Sequence, residues 1–140
     1  MSIRLTLSLV VMSGLLMAGS GCKRSNSLHY LNDDIGQQPQ AIGLWDTEPL
    51  HSQLKDLTGD QYDQFIKYMK NAGPLARDKY VYSYARIAQD STRGYAFLLV
   101  DTDKGKMLAA IVTNYQIQKF QSPAETFTVP AALQSKLDSL

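Results

Sequence analysis

The chain has one cysteine, two histidines and no block of basic residues, and each shortage closes off a class of function. With Cys22 alone, no disulfide can form within the chain, so the fold must rest on its hydrophobic core. A zinc site draws three or four ligands together. His29 and His51 have no cysteine or carboxylate at ligand spacing beside them, so no metal is expected. A nucleophilic serine needs a base within reach, and Ser83 and Ser91 have no histidine in their part of the chain. The glycine-rich phosphate loop is missing, as is the calcium-loop pattern around Asp101 and Asp103. Those two carboxylates suit ordinary turn chemistry. Neither a catalytic residue nor a cofactor is expected. Lys and Arg total 14 against 13 Asp and Glu. A nucleic-acid partner would require clustered cations to match its phosphates, and none are clustered.

A long hydrophobic run is lacking too. Residues 5–16 are apolar apart from Thr6, Ser8, Ser13 and Gly14, shorter than the ~20 residues a membrane-spanning helix needs. Arg4 precedes this core, and Ala18-Gly19-Ser20-Gly21 and then Cys22 follow it. Charge, apolar core and small residues in that order describe a secretory signal over residues 1–21. With a cysteine directly behind it, the segment resembles the signal of bacterial lipoproteins. Gly21 and Cys22 match that family's cleavage box, whereas Gly19 stands where leucine is usual. The resemblance implies that Cys22 is acylated with palmitate-type chains and begins the mature protein. A multiply acylated cysteine is a firm anchor, where a single chain holds only marginally. Lys23, in place of the aspartate that retains lipoproteins at the inner membrane, implies the periplasmic face of the outer membrane.

Residues 22–43 have the polar, aperiodic composition of a tether, including Gln37, Gln38, Pro39 and Gln40. Leu28, Tyr30, Leu31 and Ile35 offer this stretch apolar side chains with which to dock. One domain is expected over residues 44–140. Thr47 is a plausible helix N-cap with Pro49 in the first turn, and Leu50, Leu54 and Leu57 share one face. Thr58 and Gln61 have capping-box spacing. The stripe Tyr62, Phe65, Ile66 and Met69 predicts a second helix after a kink near Gly59, stopped by Asn71-Ala72-Gly73-Pro74.

Strands are predicted over residues 80–87, 95–100, 107–113 and 116–120, with a further short one at 127–129. Tyr80, Tyr82 and Tyr84 fall on one face of the first strand, Val81, Ala85 and Ile87 on the other. A three-residue hairpin loop with left-handed Gly105 would pair Thr102 with Lys106 and set Val100, Leu98 and Ala96 opposite Leu108, Ala110 and Val112. Both faces of that hairpin are apolar, so it should be central, with a cover on each side. Pro130 opens a terminal helix bearing Leu133, Leu137 and Leu140. The expected fold is α+β: a four- to five-stranded antiparallel sheet packed by an N-terminal helix pair and a short C-terminal helix.

With chemistry excluded, binding surface remains. Tyr82 and Tyr84, with Arg86 and Tyr95 nearby, have the composition of interface cores, although the half-covered face of a sheet draws the same residues. Residues 88–94 read as a seven-residue polar loop carrying Asp90, Ser91, Thr92 and Arg93. Helix, Gly73-Pro74, strand, polar loop ending in Gly94, apolar strand and the 101–106 turn together resemble the inhibitor of vertebrate lysozyme family over roughly residues 50–120. That resemblance implies a non-catalytic envelope protein that blocks lysozyme by inserting a loop into its cleft. The family's inhibitory loop carries a histidine, often between two cysteines. Residues 88–94 hold neither, which implies a different target or different contact chemistry, as in an immunity protein facing a wall-degrading toxin. Two readings stand: an inhibitor contacting a cell-wall hydrolase or toxin through Asp90, Ser91, Thr92, Arg93, Tyr82 and Tyr84, and an assembly lipoprotein that uses its two-sided hairpin to join another subunit or form a homodimer.

Overall fold

The computed structural model describes residues 27–89, 92–122 and 125–140. Two helices come first, α1 (Leu50–Thr58) and α2 (Tyr62–Met69), separated by a 3-10 turn over Gly59–Gln61. Five strands follow: β1 (Ala76–Arg77), β2 (Val81–Gln89), β3 (Thr92–Asp101), β4 (Lys106–Thr113) and β5 (Gln116–Gln121). They form one antiparallel meander in the order β1-β2-β3-β4-β5. A short helix, α3 (Ala131–Leu137), closes the chain. The α+β architecture is the one expected, with five strands.

The helices form where apolar spacing predicts them, but their starts are built differently. Thr47 does not cap α1: its hydroxyl donates to Gly43 O at 2.8 Å. The Glu48 carboxylate takes that role, accepting from the Ser52 N–H at 3.2 Å and the Ser52 hydroxyl at 2.8 Å. An anion there also suits the positive end of the helix. Thr58 is buried and donates to Leu54 O at 2.8 Å, so the capping box expected from Thr58 and Gln61 is absent as well. The kink is where it was expected, at Gly59 with φ +55.

Leu54, Phe65 and Met69 are fully buried, and such side chains each contribute about 1.5–3 kcal/mol. They lie on the sheet face made by Val81, Ala85, Ile87, Ala96, Leu98, Val100, Met107, Ala109 and Ile111. Leu28, Leu31, Leu44 and Trp45 belong to the same core. The segment before α1 is thus packed, with a 3-10 helix over His29–Asp34 and further ties to the sheet. Gly36 N–H donates to Leu75 O at 2.7 Å and Leu75 N–H to Gln37 O at 2.9 Å. Asn32 Nδ2 reaches Thr102 Oγ1 at 3.3 Å, and Arg77 donates to Asn32 Oδ1. Burial pushes the Tyr30 phenol up to about 12, opposed by the Leu50 backbone and helped by the carboxylates of Asp34 and Glu48.

The second face is covered by the C-terminal stretch. Leu133 is fully buried there with Phe97, Leu99, Leu108 and Ala110, and Phe127, Val129, Leu137 and Leu140 pack at the margin. Phe127 lies 5.1 Å from the Tyr80 ring, yet residues 127–129 are irregular and form no strand.

The β3–β4 hairpin differs from expectation by one residue. Asp101 pairs with Lys106, and Val100, Leu98 and Ala96 lie opposite Met107, Ala109 and Ile111. Four residues make the turn, not three. Asp101 Oδ1 accepts the backbone N–H groups of Asp103 at 3.1 Å and Lys104 at 3.0 Å, and Gly105 closes it at φ +63. This slip moved every side chain of β4 to the other face. Both edges of the hairpin are paired, by β2 and β5, and each face is at least partly covered.

Candidate functional site

The strands define two ends. At one lie the turn after Asp101, strand β1 and residue Asn32; at the other lie the β2–β3 connection and the β4–β5 turn. The region expected as a seven-residue loop is mostly strand: Ala88 pairs with Arg93 and Gln89 with Thr92. Only positions 90 and 91 stand between the strands. Asp90 and Ser91 lie outside the described residues, as does Cys22. Thr92 is half-buried and Arg93 is exposed. Asn114 N–H donates to Arg93 O at 3.1 Å, which seats the β4–β5 turn against this tip. That turn holds Asn114 at φ +49 and Tyr115 at φ +67. The left-handed pair matches the twist of a two-residue hairpin, but tyrosine is an uncommon residue there. Tyr115 is 84% exposed.

Gly94 makes the tip possible. A Cβ on it would sit 1.7 Å from Val112 O and 2.8 Å from Val112 C, so no other residue allows β3 and β4 to approach this closely. The glycine was visible in the sequence as a loop end; its packing role was not.

The two tyrosines singled out from sequence diverge. Exposure rises from Tyr80 at 4%, just before β2, through Tyr82 at 8% to half-buried Tyr84 and exposed Arg86. Tyr82 is covered by the C-terminal stretch; Tyr84 borders the open part of the face, edge-on to Tyr95 with centroids 6.1 Å apart. Register brings Arg86, Tyr95, Val112 and Ile117 into one row across β2 to β5. Ile117, half-exposed, was not anticipated as a site residue, because a lone isoleucine in a polar edge strand carries no signal until the register is known.

Two other features lie away from the tip. Trp45 O accepts from His51 Nδ1–H at 2.8 Å and from the Tyr62 hydroxyl at 3.3 Å, with the hydroxyl oxygen 2.9 Å from Nδ1. This fixes the His51 tautomer and ties α1 to α2. Burial raises the Tyr62 phenol above its ordinary range, helped by the carboxylates of Asp46, Asp63 and Glu48. A depression of about 320 Å³, bordered by Asp56, Leu57, Lys106 and Ser122, opens at the Asp101–Lys106 end. Among the described residues no group of three His, Cys, Asp or Glu converges as a metal site, and no helix is long and apolar enough to cross a membrane.

Comparison with known proteins agrees with this architecture. The family model described as Inhibitor of vertebrate lysozyme (Ivy) matches residues 49–140, from the start of α1 to the last residue. No curated protein and no solved structure matches the chain. The match takes in both helices, the whole sheet and the covering helix, and the chain belongs to the inhibitor of vertebrate lysozyme family.

Proposed function

We propose that the protein is a lipid-anchored envelope inhibitor that blocks a cell-wall hydrolase with the tip formed by residues 89–93, Arg93 being its principal charge. The family is one of lysozyme inhibitors, which supports a protein partner of the hydrolase kind. The observation that carries the reading is Arg93, exposed beside the last pairs of β2 and β3 at one end of the sheet. Glycoside hydrolases work through two carboxylates in a cleft. A guanidinium pairs with a carboxylate through two parallel hydrogen bonds, so Arg93 has the chemistry to occupy such a cleft without the histidine of the family's loop. Asp90 and Ser91 would supply polar contacts around it. The identity of the hydrolase, or a wall-degrading toxin in its place, belongs to the same proposal.

The test is inhibition of muramidases and amidases by the purified domain. Arg93→Ala with Asp90→Ala is expected to weaken inhibition by about 2 kcal/mol or more, the usual loss at an interface hot spot. Unchanged inhibition in that double variant would remove the tip from the contact. The anchor rests on the signal-like sequence before Cys22 and is assigned to the periplasmic face of the outer membrane. Cys22→Ser is expected to move the folded protein from the membrane fraction to the soluble one; a variant still pelleting with membranes would overturn the lipid anchor.

A further inference from the structure

The C-terminal stretch covers only half of the second sheet face. Toward the Asp101 end Tyr82, Leu99 and Leu108 are buried with Leu133, Phe127 and Val129 packed over them. Toward the tip β4 stays buried at Ala110 and Val112, but cover gives out on β2, β3 and β5. Tyr84 and Tyr95 are half-buried, Arg86 and Arg93 exposed, and Ile117 and Lys119 exposed on β5. Pairing puts these on one side: Tyr84 with Phe97, Ala110 and Lys119 in one row, Arg86 with Tyr95, Val112 and Ile117 in the next, and Arg93 with Ala88 beyond. Three guanidinium or ammonium groups surround an aromatic and aliphatic floor. The strand positions of this half carry no carboxylate, although the chain as a whole has nearly equal numbers of acidic and basic residues.

We infer that this open half-face is a docking surface for an acidic protein surface, continuous with the tip. The inference rests on the inhibitor reading and adds to it the charge of the partner: a hydrolase whose cleft rim, and not its cleft alone, is negative. Aromatic rings supply contact area at small entropic cost, while the surrounding cations choose the partner by charge and speed encounter. A basic partner would meet three like charges on arrival. Tyr115 extends the surface beside the tip, which accounts for keeping a tyrosine in a left-handed turn that favours glycine.

The test uses a basic vertebrate lysozyme and the same enzyme with its lysines succinylated, which inverts the charge of the probe without touching its catalytic carboxylates. Titration calorimetry at low and high salt gives affinity, and wall hydrolysis in the same samples gives inhibition. The succinylated form is expected to bind at least ~10-fold tighter, a preference that salt weakens. Arg86→Glu with Lys119→Glu should reverse it, while Lys55→Glu with Lys67→Glu, the same charge change on the exposed helix side, should not. Tyr115→Gly should weaken binding while raising the melting temperature, which a merely structural tyrosine would not do. Equal binding of both forms, tighter binding of the basic form, no binding of either, or indifference to the Arg86 and Lys119 reversals would overturn the inference. Inhibition without charge preference refutes the docking face and leaves the inhibitor reading standing. Charge-dependent capture without inhibition refutes the inhibitor reading instead.

Discussion

Gly94→Ala is expected to destabilise the domain by about 3 kcal/mol or more, at the upper end for an overpacked site. The added methyl would meet Val112 O at 1.7 Å and Thr113 Cα at 3.1 Å. These are backbone atoms of the neighbouring strand β4, and a side-chain rotation cannot relieve them. Relief requires β3 and β4 to part near Arg93, where their pairing supports both the tip and the Asn114 turn. For a domain of this size such a loss lowers the melting temperature by roughly 12 °C or more. Thermal unfolding followed by circular dichroism checks it. A variant melting within about 2 °C of the parent would mean that the two strands are not this close.

Leu28→Ala with Leu31→Ala should be as damaging, although both residues precede the region matched by the family. Each leucine is buried in the main core, and Leu→Ala there costs about 2–5 kcal/mol. Together they approach the total stability of a typical domain, about 5–15 kcal/mol. The double variant is therefore expected to lose cooperative unfolding or to melt near ambient temperature. Ile35→Ala, at a position 37% exposed, should change little. Retention of a parent-like transition by the double variant would reduce residues 28–46 to a peripheral wrapping.

The helices and strands were legible because each presents one period over several residues: Phe65, Ile66 and Met69 at helical spacing, Tyr80, Tyr82 and Tyr84 at strand spacing. The hairpin register was not. A slip of one residue exchanges faces, and with Leu, Ala and Val available to both faces of β4, hydrophobicity gave no preference. The Asp101 side chain chose it, by holding a four-residue turn. Residues 88–94 read as a loop because their side chains are polar or small, yet polar side chains are what strands carry where cover ends. Strand β1 is two residues long and has no period to detect. Docking by Leu28 and Leu31 was visible only as scattered apolar residues in a polar stretch. Arg93 and Tyr84 were singled out from residue type alone. Their companions Ile117 and Lys119 needed the pairing of β4 with β5, which no local pattern encodes.

The contact between Asn32 and Thr102 gives the proposed anchor a geometric meaning. It holds the start of the packed chain at the Asp101 end of the sheet, the end opposite the tip. With Cys22 in the bilayer, the six residues from it to Leu28 could span at most ~20 Å, and the ten residues of β3 stand the tip off by a further ~30 Å. The domain would then work as a short mast, presenting Arg93 away from the lipid and toward the wall. Confinement to so thin a layer raises the effective concentration at which the tip meets enzymes working there. Even a modest intrinsic affinity would keep that layer guarded.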